Sequence, residues 1–297
     1  MNIAKLINGL PTVLRRHKLV QLLLLFFPQS RLQVINFNSG AQLIADVSNP
    51  LPRQCLLTKS FEPEFFAITQ PFLTKGGIFF DVGANFGFCS FGLIDCLDKK
   101  QIEYHLFEAN PNICYCLQQS AQLHPQEKIK INNCCVTNTE GSSKLKIHHQ
   151  QLASSYIADV GDYQVSNLVL DQYISENGIE KIKLLKMDIE GWEPFALQGL
   201  SNSLKRGLIE VIYLEVSWDN LARNNFNPED CFQILRATGF QLFYCKPDDF
   251  AHNIADSNKK FKLPVNNHSV TLAPLENFPS QHQTDILAIH HQANLLN

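Results

Sequence analysis

At 297 residues and 33.7 kDa, the chain has the length of one large domain or two small ones. Its 45% apolar and 18% charged residues suffice for a sizeable core and exclude a disordered chain. A net charge of −3 and a pI near 6.4 speak against a protein held to nucleic acid by phosphate-backbone contacts.

Residues 1–30 read as helices broken at Pro11 and Pro28. Within them, Leu19 to Phe27 is apolar and follows Arg15, Arg16 and Lys18. Nine residues cannot cross a bilayer core, which needs about 20 in a helix. The following FFPQS carries no small-x-small cleavage site for a secretory signal. An interfacial or core-packed amphipathic helix is expected, with peripheral membrane contact through 15–27 as the second reading. Arg31 to Val47 reads as a hairpin, with Leu32, Val34 and Phe37 on one strand and a turn at Asn38-Ser39-Gly40. Residues 1–60 thus form a helical and hairpin extension, and 61–297 the main domain.

From about residue 60 strands alternate with helices, which implies a parallel sheet covered on both faces. Glu62-Pro63, Asn110-Pro111, Glu193-Pro194 and Asn227-Pro228 open helices with proline in the first turn. The third of these is expected to run to Gly207 and the fourth to Gly239. The strand runs are Gly77–Val82, Tyr104–Glu108, Ile129–Val136, Ile182–Asp188, Ile209–Val216, Phe240–Cys245 and Asp285–His290. These seven predict an α/β, doubly wound, mostly parallel seven-stranded sheet, with 247–284 as a surface excursion. Nine cysteines, mostly inside apolar runs and without a regular framework, suggest reduced thiols in a cytoplasmic protein.

The chemistry gathers at three strand ends. The first strand runs into Asp81-Val82-Gly83-Ala84-Asn85-Phe86-Gly87, where glycines permit a tight turn and close approach of a ligand. The spacing is not the dinucleotide pattern G-x-G-x-x-G. An aspartate beside the turn disfavours a pyrophosphate and suits a ligand carrying ammonium and sulfonium charges. S-adenosyl-L-methionine is such a ligand, and it is the favoured reading over a nicotinamide site or a coincidence. Glu108, ending the second strand, can accept both hydroxyls of a ribose. Asn110 reads as a helix cap.

The third cluster is Lys186-Met187-Asp188-Ile189-Glu190-Gly191-Trp192-Glu193. Period-two alternation sends Lys186, Asp188 and Glu190 to one side, facing the glycine turn across the switch point of a doubly wound sheet. Asp188 is expected nearest the transferred methyl group. Glu190, Gly191 and Glu193 are expected on the acceptor, although an acid at Glu193 also favours the following helix N-terminus. Glu215, at the same carboxyl edge, is a second candidate base, with pairing to Lys186 or Arg223 as its plainer role. His105 reads as a packed histidine, and His148-His149 and His290-His291 as surface pairs. No metal is required, although Asp188, Glu190 and Glu215 offer oxygen ligands.

The order FDVGANFG, FEANP, LDQYI, LLKMDIEGWEPFALQGL and IYLEVS resembles the FkbM-like S-adenosylmethionine-dependent methyltransferases, from about Phe61 to the last strand. That resemblance implies the Rossmann-like class I methyltransferase fold. It puts Asp81, Gly83, Asn85 and Gly87 on the methionine end of the cofactor and Glu108 on its ribose. Asp188, Glu190 and Gly191 fall in the signature around the reaction site. Such proteins mainly methylate hydroxyls in natural products and in sugars of glycans and glycolipids. The expected activity is therefore O-methylation, with Asp188, Glu215 and Lys186 as catalytic candidates and a small-molecule or glycan acceptor. One alternative is N-methylation of nucleic acid or protein, against which stand the acidic balance and the absence of an Asn/Asp-Pro-Pro-aromatic motif. The other is a non-catalytic cofactor-binding scaffold.

Overall fold

The computed structural model describes residues 16–97, 101–147, 155–245, 261–265, 268–276, 278 and 283–293. The expectations for Pro11 and for His148-His149 lie outside these residues. The first described helix, α1 (Arg16–Phe26), ends at Pro28 and buries Val20. Among the described residues no helix is long and apolar enough to cross a membrane. Strands β1 (Leu32–Phe37) and β2 (Ala41–Asp46) form the expected antiparallel hairpin. Its inward face is Ile35, Phe37, Leu43 and Ala45, whereas Val34 is 40% exposed. Alternation with Phe37, the bulkier residue, sets the phase and turns Val34 outward. An unexpected helix, α2 (Pro50–Thr58), follows; Asn49-Pro50 is its sequence signal.

Next come α3 (Pro63–Leu73), β3 (Gly77–Val82), α4 (Phe88–Cys96), β4 (Ile102–Glu108), α5 (Pro111–Ala121) and β5 (Lys128–Asn133). Asn110 caps α5, accepting from the Asn112 N–H at 3.0 Å. The run Ile129–Val136 is not one strand. The Asn133 amide donates to the Glu108 and Ala109 carbonyls, and Cys134 N–H to the Glu108 carbonyl. These bonds bend the chain off the sheet, and β6 (Cys135–Thr137) starts a second one. There it joins β7 (Ser142–Lys146), β8 (Tyr156–Ile157) and β9 (Tyr163–Val169) in the order β6-β9-β7-β8.

The chain returns through α6 (Leu170–Glu176) to β10 (Ile182–Met187). The helix expected from Glu193 to Gly207 is two short ones, α7 (Glu193–Gln198) and α8 (Ser201–Lys205). The Asp171 carboxylate accepts from Asn202 and Ser203 N–H, both at 2.8 Å, and so starts a new helix there. After them come β11 (Ile209–Ser217), α9 (Trp218–Ala222), α10 (Pro228–Ala237) and β12 (Phe240–Tyr244). The stretch expected as a surface excursion instead supplies the hairpin β13 (Phe261–Val265) and β14 (His268–Pro274), which pairs with the free edge of β12. Strand β15 (Gln283–His290) then inserts antiparallel between β11 and β12.

The central sheet runs β13-β14-β12-β15-β11-β10-β3-β4-β5. The seven strands from β12 to β5 are those expected, and the hairpin lengthens the sheet to nine. The two layers of core follow from strand alternation. Phe79, Leu184 and Val211 face α3, α4, α5 and the N-terminal hairpin, while Phe80, Leu185 and Ile212 face α6, α7, α8 and α10. His290, expected at the surface, is buried, and its ring meets the Thr238 carbonyl at 3.0 Å. His105 packs in the core between Tyr173 and Glu103, at 2.7 and 3.0 Å.

Candidate active site

The carboxyl ends of β3, β4, β10 and β11 meet at the switch point between β3 and β10, where the strand order reverses. At the end of β3, Gly83 and Ala84 N–H both donate to the Phe107 carbonyl, at 2.9 and 3.0 Å. Gly83 has φ +76°, and a Cβ there would lie 1.8 Å from the Asp188 carbonyl oxygen. Its glycine is therefore demanded by the backbone crossing over it. Asn85, at φ +51°, holds its left-handed turn by accepting the Phe86 N–H at 2.8 Å.

Asp81 does not reach the crevice surface. It is fully buried, one oxygen accepting from Ser90 Oγ at 2.6 Å and the other 3.5 Å from Lys186 Nζ. Lys186 is the clamp of the region. Its ammonium donates to the Gly83 carbonyl at 2.8 Å and lies 3.4 Å from Asp188 Oδ2. Burial opposes its charge, but the Asp188 and Asp81 carboxylates prevail and hold its pKa well above the ordinary lysine value.

Glu108 sits at the end of β4 with one oxygen on Asn85 N–H and the other on Asn110 N–H, both at 2.8 Å. Burial pushes its pKa up despite these two donors. A carboxylate has about four acceptor positions, so capacity for two further donors remains. It faces a cleft of about 630 Å³ whose far wall is Ile113, Cys134, Cys135 and Val136, roofed by Leu145 and Ile157 of the second sheet.

Beyond β10 the chain makes a strained bend. Glu190 has φ +56° and Gly191 φ +96°; a Cβ on Gly191 would lie 2.2 Å from the Asn220 carbonyl oxygen of α9. Glu193 turns inward and accepts from Ile189 and Gly191 N–H at 2.9 and 3.3 Å. Burial raises its pKa to about 7. Glu190 points the other way and accepts from the Asn220 amide at 2.7 Å. Burial and then the Asp188 charge raise its pKa to about 7 as well. Asn220 also receives Arg223, whose guanidinium stands 5.2 Å from the centre of the Tyr156 ring. Asn220 and Arg223 are neighbours along the chain, but Tyr156 is distant from both, and the group forms only because β8 and α9 flank the bend, so the sequence does not single it out.

Behind this bend lies a second cavity, of about 540 Å³, bordered by Glu62, Asp188, Glu215 and Asp285 with Lys186, and by Phe61, Phe65, Phe88 and Tyr213. Glu215 pairs across the sheet with Asp285 and accepts from Gln283. The Asp188 charge, then burial, then Asp285 push its pKa up to about 9. Asn85 and Asp188 border both cavities. Among the described residues no three His, Cys, Asp or Glu side chains are grouped to hold a metal ion.

The methyltransferase FkbM domain model matches residues 81–242, more than half of the chain. The chain belongs to the FkbM methyltransferase family. The match begins at Asp81 in β3 and takes in both strand-end motifs, the β6–β9 sheet and the bend at Glu190. The matched model is that of a methyltransferase domain. Comparison with curated proteins gives no match. Among solved structures, the FkbM methyltransferase of Methylobacillus flagellatus KT is similar at 18% identity and a TM-score of 0.43. That likeness covers 64% of this chain and 48% of the other, so the chain spans about half the length of that relative. TrmK of M. capricolum, in complex with S-adenosylhomocysteine, is similar at 7% identity and a TM-score of 0.38, over 75% of this chain and 65% of that one. The precorrin-6y C5,15-methyltransferase of Geobacter metallireducens GS-15 is similar at 10% identity and a TM-score of 0.35, over 75% and 85%.

Proposed function

We propose that the protein transfers the methyl group to a hydroxyl oxygen of a polar, ring-bearing acceptor such as a sugar or natural product, with Asp188 as the base. The observation that carries this reading is the position of Asp188 on the wall shared by the two cavities, its carboxylate oriented by Lys186.

The cleft beside Glu108 fits the nucleoside of S-adenosyl-L-methionine. Glu108 retains acceptor capacity for two ribose hydroxyls, and the slot formed by Ile113 and Cys134–Val136 suits a flat apolar base. Asn85, Gly83 and Asp188 line the far end, where the methionine portion would lie. The bound cofactor supplies an electrophilic methyl activated by its sulfonium charge. Asp81 supports this end from below, through Lys186, rather than by touching the cofactor.

A sugar hydroxyl attacks carbon poorly until it loses its proton, and a positioned base contributes about 10²–10⁴-fold. Asp188 takes that proton as the new carbon–oxygen bond forms and the carbon–sulfur bond breaks. Lys186 fixes the carboxylate and links it to the glycine turn through the Gly83 carbonyl. Glu215, with its raised pKa, is a proton-holding neighbour, a poorer base at neutral pH than a free carboxylate. Glu190, Arg223 and Asn224 beside Tyr156 and Trp192 line a neighbouring groove and offer hydrogen bonds next to aromatic faces, which favours a polar ring over a purely apolar acceptor. The Trp192 indole N–H is buried with no partner among the described residues, and an acceptor oxygen would satisfy it. Glu193 acts on this groove by holding the bend.

Incubation with methyl-labelled cofactor and fractions of glycolipid, polysaccharide, small metabolites and RNA tests the proposal. Label in an alkali-stable methyl ether supports it. Label only on nitrogen, in RNA or protein, refutes it.

A further inference from the structure

We infer that α1 is a docking surface for an anionic lipid bilayer. The first 45 residues contain Lys5, Arg15, Arg16, Lys18 and Arg31 and not one Asp or Glu, in a chain whose overall charge is −3. The acidic groups all begin at Asp46. A chain with so uneven a distribution presents a basic end to a negative surface while the rest of it is repelled.

The helix adds an apolar component. Val20 is buried against the core, with Leu23 and Leu24 packed partly beside it, which fixes the helix on the protein. The opposite face carries His17, Lys18 and Gln21 exposed at its start, then Leu22 at 50% exposure, Leu25 at 78% and Phe26 at 71%. Phe27 follows at 38%, and Pro28 ends the helix. Exposed leucine and phenylalanine at one end, with basic and polar groups at the other, is the arrangement by which a short helix inserts its apolar end among acyl chains and leaves its cationic end at headgroup level. The same charge asymmetry disfavours a second copy of the chain as the partner, because a two-fold contact would set one basic segment against another. The helix packs on α2, whose Leu51 borders the cavity behind Asp188, so a bilayer docked on α1 lies against an element of the active site.

The test is co-sedimentation of the full-length protein with vesicles of phosphatidylcholine alone or mixed with phosphatidylglycerol, at low and high salt. Binding to the mixed vesicles at low salt, much weaker on the neutral ones and weakened by salt, is expected. The double substitution Leu25→Glu and Phe26→Glu is expected to lower the vesicle partition at least tenfold, with cofactor binding unchanged as a check of folding. Lys18→Glu, at an exposed position, is expected to lower it roughly 30-fold for its two-unit charge change. No partition into mixed vesicles, equal partition into both kinds, or full partition of either variant overturns the inference. So does a concentration-dependent dimer that the double substitution abolishes in the absence of vesicle binding.

Discussion

Two strand ends in this molecule read almost alike and do different physical work. Strand β3 ends in Asp81-Val82-Gly83 and β10 leads into Asp188-Ile189-Glu190-Gly191, each an acid followed closely by a glycine at positive φ. At the first, the acid is sealed inside and bonded to Ser90 and Lys186, and the glycine is required by the passing Asp188 backbone. At the second, the acid stands between two cavities, and the residue before the glycine turns out toward a groove. One segment is a frame, and the other is the one we propose to carry the reacting groups. Lys186 joins them, with Gly83, Asp81 and Asp188 all within 3.5 Å of its ammonium.

The contrast breaks most sharply at Gly83. Gly83→Ala forces a methyl into the Asp188 carbonyl, and a loss of about 4 kcal/mol or more in a denaturation curve is expected, or failure to fold. A well-folded, fully active variant would show that the crossing is loose. Lys186→Met comes next: it leaves Asp81 as a buried charge without its cation and should cost about 3–5 kcal/mol, with turnover falling as well. Unaltered stability would mean that Lys186 serves Asp188 alone.

Protonation gives a third handle. Glu193 has a pKa raised from 4.5 to about 7 in the folded protein, so the native state holds this proton more tightly than the unfolded chain does. Its contribution is full below about pH 4.5 and is lost as pH rises through 7, to a limit of about 3 kcal/mol. Thermal melts should show the midpoint falling between pH 5 and pH 8, and Glu193→Gln should flatten that fall. A slope unchanged by the substitution would assign the proton elsewhere. The smallest effect belongs to the other side of the crevice: Glu108→Gln should weaken cofactor binding about 10–100-fold by calorimetry and leave folding nearly intact. Equal affinity would take Glu108 off the ribose.

Most of this frame was legible because it rests on local rules. Proline after Glu62, Asn110 and Asn227 started helices where expected, and the apolar runs became the seven strands from β12 to β5. What failed depended on distant partners. Cys134 leaves the sheet because Asn133 reaches back to Glu108 and Ala109, and α7 stops because Asp171 caps a new helix. The β13–β14 hairpin looked like a polar loop, since its pairing with the edge of β12 has no local signal. The placement of Glu108 and Asp188 beside the crevice was legible from their positions at strand ends. The inward turn of Asp81, and the meeting of Asn220, Arg223 and Tyr156 around Glu190, depended on packing across the crevice.

The divided labour of the two strand ends is tested most directly by Asp188→Asn, measured for cofactor affinity by calorimetry and for turnover with labelled cofactor and a competent acceptor. A loss of about 10²–10⁴-fold in kcat with the cofactor Kd unchanged is the expected result. Full turnover in that variant, at unchanged affinity, would remove Asp188 from the chemistry and contradict the account.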